Sequence, residues 1–132
     1  QVVRRQRQMC IRDRYDMIGP EIEGHISSAR PAFFFNTCHG GRQSWGIAGL
    51  GGWPNHLIAA GASLLIAPLW RVYDEPALDF ARKFYEELLN DKTVAEAVQL
   101  SRKAIFDQYY QNKGDATCFI YSVYAHPNAK IS

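Results

Sequence analysis

Cys38 and His39 stand side by side in "PAFFFNTCHGGRQSWG", residues 31–46, where an apolar run gives way to Asn36 and Thr37 and then, past the pair, to two glycines. A thiol next to an imidazole at the end of a buried run admits three kinds of chemistry. The thiolate can act as a nucleophile if a base or positive surroundings lower its pKa and backbone amides hold the developing oxyanion. The pair can ligate a metal together with His56, although that spacing matches no structural zinc pattern. The cysteine can also simply pack in a turn, the ordinary fate of a single thiol after an apolar strand. Gly40 and Gly41 would let amides come close to an oxyanion. His39 is poorly suited to be the base for Cys38, because adjacent side chains on extended backbone point apart. His25 belongs to the helix before the strand and His56 to the helix after the loop, and spacing alone brings neither to Cys38.

The elements that must position these residues can be read from the pattern. Met17, Ile18, Ile22 and Ile26 recur three to four apart and predict a helix over 15–29, with Pro20 tolerated in its first turn. Residues 31–36 read as a strand, apolar on both faces as a central parallel strand would be. Six glycines between 40 and 52 predict a glycine-rich loop over 42–52, with Trp45 placed to line a pocket or close the core. A helix over 53–60 ends at Gly61. "SLLIAPL", 63–69, is a second buried strand that Pro68 ends, and "WRVYD" then leads into a helix over 75–89, for which Asp74 is an N-cap candidate. Its apolar positions are Ala77, Leu78, Ala81, Phe84, Tyr85, Leu88 and Leu89. Thr93 and Glu96 make a capping box for a further helix bearing Val94, Ala97, Val98, Ser101, Ala104 and Ile105 on one side. "QNKGDA" reads as a turn, and "TCFIYSVYA", 117–125, as a third strand.

This order predicts an α/β sheet covered by helices. Chemistry in such sheets sits beyond the carboxyl ends of strands, and three ends qualify: Asn36 to His39, Leu69 to Asp74, and Tyr124 to Pro127. If the strands run parallel, the first two ends share an edge, and Cys38 and Asp74 could face one cleft. Three visible strands are few, which suggests that further strands precede residue 1 or come from a partner chain. The exposed edge left behind would favour pairing with another chain.

Composition bounds the rest. The 132 residues amount to one domain, 47% apolar and 21% charged, a globular balance. The longest nearly apolar run, "AAGASLLIAPLW", is too short to span a bilayer, and the arginine-rich beginning is no signal peptide. The formal charge of +2 comes from one end: residues 1–14 hold five Arg against one Asp, and the remainder carries about −2. Residues 1–14 are therefore set apart as a basic segment, disordered or foreign to the domain, and nucleic-acid binding is not expected of the rest. Three cysteines without a CxxC pair argue for reduced thiols in a reducing compartment, hence a cytoplasmic protein. Cys118 reads as a packed thiol and Cys10 as incidental.

Taken together, "RPAFFFNTCHGG", "GLGGWPNHLIAAGASLLIAPLWRVYDEPALDFARKFYEELL", "KTVAEAVQLSRKA" and "YSVYAHPNAKI" resemble the CHAT domain, from about Pro20 to Ile131. Each piece is weak alone; the ordered set is specific. The resemblance implies a partial caspase-like sheet with flanking helices, lacking its N-terminal strands, so that 15–132 would be the C-terminal portion of the domain. It implies a bacterial source and a cysteine endopeptidase in which Cys38 is the nucleophile, with His39 and Gly40 in the oxyanion-hole region. It also implies that the histidine base ends a preceding strand in a His-Gly pair, which residues 1–14 do not contain. Asp74, with Trp70 as a wall, is the implied candidate for a P1 pocket that selects basic side chains, beside its plainer reading as an N-cap. The partners implied are a protein or peptide substrate, and regulatory repeats or proteins outside this chain. No cofactor, no metal and no membrane are called for.

Two functions remain open: a cysteine endopeptidase whose base comes from upstream sequence, and a catalytically inactive scaffold or signalling module. An unrelated thiol-dependent hydrolase is a weaker third.

Overall fold

The computed structural model describes residues 20–36, 44–46, 49–51 and 53–130. Cys10, Cys38, His39 and Gly40, with the basic segment 1–14, lie outside the described residues.

A mixed, open three-stranded sheet is flanked by helices on both faces. Strand β1 (Ala32–Phe34) pairs in parallel with β4 (Leu64–Pro68), which pairs antiparallel with β5 (Tyr121–Ala125). β4 is thus the central strand, and all five of its residues are buried. The expectation of β1 as a central strand is corrected: among the described residues it is an edge, with Ala32 exposed and both phenylalanines half-buried. A small antiparallel ribbon, β2 (Ser44–Gly46) with β3 (Gly49–Gly51), replaces the plain loop expected over 42–52. Glycines do not forbid a short ladder; they remove only side chains that would pack on it.

Alternation along the strands sorts the core into two layers. Leu64 and Ile66 of β4, Phe34 of β1 and Tyr121 of β5 face helices α3 (Asp74–Leu89) and α4 (Val94–Ile105). Leu65, Phe33, Phe35 and Tyr124 face α1 (Pro20–Ala29) and α2 (Trp53–Ala59), where Ile26 and Leu57 are buried. Helix α1 starts at the Pro20 expected in its first turn, and residues 15–19 lie outside the described set. Gly61 ends α2 with φ +110°, and an added Cβ would meet the Ser27 backbone at 3.0 Å, so a side chain is excluded twice over.

Helix α3 buries Pro76, Ala77, Phe80, Phe84 and Leu88. Ala77, Phe84 and Leu88 lie on the expected face, but the buried stripe is turned from it by less than a quarter turn: Leu78, Tyr85 and Leu89 are exposed, while Phe80 is fully buried and stacks on Tyr121 at a centroid distance of 4.2 Å. Helix α4 follows its expected face, with Val94, Ala97, Val98, Ser101 and Ile105 buried. Its capping box forms: Glu96 N donates to Thr93 Oγ1 (3.3 Å), and Thr93 N donates to Glu96 Oε2 (2.8 Å). The donation from Thr93 N, and after it the one from the Thr93 hydroxyl to the same Oε2 (3.0 Å), hold the Glu96 carboxyl below the usual carboxylate range.

Past Ile105 the chain stays helical through a π segment, Phe106–Tyr110, and a last turn, Gln111–Lys113, where a turn was expected. Gly114, at φ +68°, ends it. Helix α6 (Thr117–Ile120), with Gln111–Lys113 counted as α5, occupies the first half of the expected third strand. Asp115 Oδ1 accepts from Thr117 N at 2.8 Å and so starts a turn there, overriding the β-branched and aromatic composition. Cys118 is buried within it, a free thiol whose burial raises its pKa.

Candidate functional site

Parallel pairing of β1 with β4 puts their carboxyl ends on one edge of the sheet. β1 pairs Phe34 with Ile66, and Phe35 N still donates to Ile66 O at 2.8 Å, so the chain is held in extended form one residue beyond the strand. Asn36 comes next and is gripped from two sides. Its Nδ2 donates to the Ala77 carbonyl in the first turn of α3 (3.2 Å), and its Oδ1 accepts a hydrogen bond from the Tyr121 hydroxyl at the start of β5. The Tyr121 ring is fully buried between Phe80 and Phe34, and burial pushes its phenol pKa up, which keeps it a donor at neutral pH. Three elements therefore fix the exit of β1 two residues before Cys38.

This clamp was missed in the sequence. The signal was an Asn ending an apolar run, a side chain that can both donate and accept; its partner, 85 residues away, carries no local mark.

Asp74 is not the N-cap. It is the first helical residue of α3; Tyr73 takes the cap position, with no side-chain cap bond. Asp74 is exposed, one turn before the Ala77 carbonyl that holds Asn36, so it shares the edge toward which β1 runs. Trp70, in the connection leaving β4, is 58% exposed. The expected convergence of the first two strand ends on one edge thus holds for the backbone that carries them.

The third expected end does not join. β5 is antiparallel to β4, so its carboxyl end, Ala125, pairs with Leu64 at the far edge. His126 follows it there, exposed, its Nδ1 accepting from Asn128 N at 3.3 Å. His25 is exposed on α1, and His56 lies half-buried within α2. None of these three histidines ends a strand at the edge where Asn36 sits. Cys38, His39 and Gly40 lie outside the described residues, and with them the combination of Cys38, His39 and His56. Among the described residues no group of three or more His, Cys, Asp or Glu could hold a metal ion. No helix among them is long and apolar enough to cross a membrane.

Compared with known families, residues 32–128 match the family model described as the CHAT domain, nearly three quarters of the chain. Neither a curated protein nor a solved structure matches it significantly.

Proposed function

Because the chain belongs to the CHAT domain family, we propose that it is a caspase-like module that carries Cys38 at a clamped strand exit and, as this chain stands, serves as a scaffold or signalling module without peptidase turnover of its own. The observation that carries the reading is that none of the described histidines, His25, His56 and His126, ends a strand at the edge where Asn36 sits. A neutral thiol is a weak nucleophile and needs a base within hydrogen-bond reach. The module would meet protein or peptide partners in a reducing compartment such as the cytoplasm, in keeping with the reduced, buried Cys118.

A second reading has its own observation, the double grip on Asn36 beside the turn bearing Asp74. In that reading the complete domain is a cysteine endopeptidase whose histidine base comes from upstream sequence. The base takes the Cys38 proton and the thiolate attacks the scissile carbonyl carbon, forming a C–S bond. The oxyanion rests on amides near His39 and Gly40. The C–N bond then breaks as the protonated base gives its proton to the leaving amine, and water hydrolyses the thioester. Asp74, with Trp70 beside it, would pair with a basic P1 side chain.

The two readings separate on one pair of assays. The 132-residue chain and a version extended upstream are each incubated with a quenched-fluorescent peptide library and with a peptidyl acyloxymethyl ketone probe. The scaffold reading expects neither form to turn peptides over. Turnover by the extended form that Cys38→Ala abolishes, with folding intact, would establish the peptidase reading instead. Labelling of Cys38 by small ester probes and not by the peptidyl probe would point to an unrelated thiol hydrolase.

A further inference from the structure

Among the described residues the sheet has a second edge, β5, and it is built differently from the first. Leu69 N donates to Ile120 O at 2.9 Å, which fixes the phase of the antiparallel ladder between β4 and β5. Hydrogen-bonded pairs alternate with non-bonded ones, so Ser122 and Tyr124 turn their backbone groups toward β4. Tyr121, Val123 and Ala125 turn theirs outward. Arg102 of α4 confirms the phase: its Nη2 donates to the outward Tyr121 carbonyl at 2.8 Å.

Helix α4 runs beside that edge and leaves a groove of about 450 Å³. Val94, Val98, Val123, Ala125 and Pro127 give it apolar walls, and Arg102 is the one charged lining residue among the described residues. One end is closed where the chain after β5 returns to the helix, with Val94 N donating to Ala129 O (2.8 Å) and Ala95 N to Pro127 O (3.2 Å). Arg102 marks the other end. The slot therefore offers the outward N–H and C=O of Val123 and Ala125, an apolar wall facing them, and a cation at its Tyr121 end.

We infer that this groove takes an extended peptide that adds to β5 as an antiparallel strand, with apolar side chains against Val94 and Val98 and a carboxylate at its C-terminal end on Arg102. Main-chain bonds would supply affinity, and the alternate side chains and the guanidinium would supply choice. Antiparallel addition puts the C-terminal end of the peptide at Tyr121, where Arg102 stands, so the charge sets the polarity. A second copy fits less well. A two-fold pair of β5 strands centred on Val123 would require each Tyr121 carbonyl to accept from the Ala125 amide of the other copy, and Arg102 already occupies that carbonyl. The inference does not depend on the chemistry of Cys38.

The test uses the whole chain and a fluorescein-labelled hexapeptide of alternating threonine and valine ending in aspartate, as free acid, as C-terminal amide, and with asparagine replacing the aspartate. Binding is followed by fluorescence polarisation, and amide protection by hydrogen exchange and nuclear magnetic resonance. The expected result is saturable binding with new protection at Val123 and Ala125, weakened about tenfold by Arg102→Gln, the loss of one charge-assisted hydrogen bond. Lys103→Gln, on the same helix and outside the groove, leaves binding unchanged. Ala125→Pro removes one outward N–H without touching the ladder to β4, a place where an edge strand tolerates proline, and also weakens binding; its far-ultraviolet spectrum checks that the fold is kept. Asparagine for aspartate weakens binding if the side chain meets Arg102, and amidation does so if the terminus meets it; either supports the carboxylate. The inference is overturned by no binding at millimolar peptide, by affinity indifferent to Arg102, by protection at β1 instead, or by a dimer whose Val123 and Ala125 amides are protected without peptide.

Discussion

The Tyr121 hydroxyl donates to Asn36 Oδ1, tying the first residue of the last strand to the residue that ends the first apolar run. With the Asn36 amide on the Ala77 carbonyl, this bond makes the exit of β1 a joint property of β1, β5 and α3. The chain leaves β1 at Asn36 in a geometry set by that joint.

Removing the phenol should show it. Tyr121→Phe leaves the ring packing and deletes the donor, and Asn36→Ala deletes both partners of the clamp. Each is expected to cost about 1–3 kcal/mol in urea unfolding, the range for leaving a partly buried polar group unmatched. The double variant should fall short of the sum by at least about 0.5 kcal/mol, as coupled neighbours do. Strict additivity would mean that the two groups do not communicate.

Alkaline pH offers a second check. Tyr109 donates to Asp79 Oδ2 at 2.5 Å, and this bond, followed by burial, pushes its phenol up to about 12. A group whose folded pKa is raised contributes stability in full below its unfolded value, about 10, and loses that contribution as pH rises through the folded one. Stability should therefore decline between about pH 10 and 12, and the Tyr109 ionisation followed at 295 nm should move down in Asp79→Asn.

The acid side works in the opposite sense. The Glu96 carboxyl is held low by Thr93, so its share of stability is present above the unfolded pKa and is lost as pH falls through the folded one. Thr93→Ala breaks the capping box and should cost about 1 kcal/mol at neutral pH. Its acid unfolding profile should also lose the part that Glu96 contributes.

Cys118 is expected to resist chemistry. It is fully buried, and burial raises its pKa, two conditions that keep a thiol protonated and out of reach. Alkylation of the native protein, mapped by mass spectrometry, should leave Cys118 unmodified at pH 8 and modify it once guanidinium unfolds the chain. Rapid labelling in the native state would contradict its place in the core.

Much of the fold was legible because its signals are local. Pro68 ends β4, Gly61 ends α2, and Thr93 with Glu96 starts α4, each by chemistry contained within a few residues. What escaped was set by distant contacts. Phe80 is buried because Tyr121 stacks on it, and nothing within its own helix distinguishes it from Leu78, which is exposed. Thr117–Ile120 has strand composition but is turned into helix by the preceding Asp115. The antiparallel direction of β5, which carries His126 to the far edge, depends on how α6 enters the sheet, and periodicity does not encode that. At the site the edge shared by β1 and β4 is legible in the strand pattern, whereas the clamp upon it is not, because Asn36 and Tyr121 meet only in three dimensions.

The central claim is that this chain holds Cys38 in a caspase-like module without turning peptides over by itself. The most direct measurement compares peptide-library hydrolysis by the purified 132-residue chain with that of its Cys38→Ala variant, both shown to be folded. The account predicts the same background rate for the two. Hydrolysis by the parent chain that disappears in Cys38→Ala would contradict it and place a working base within these 132 residues.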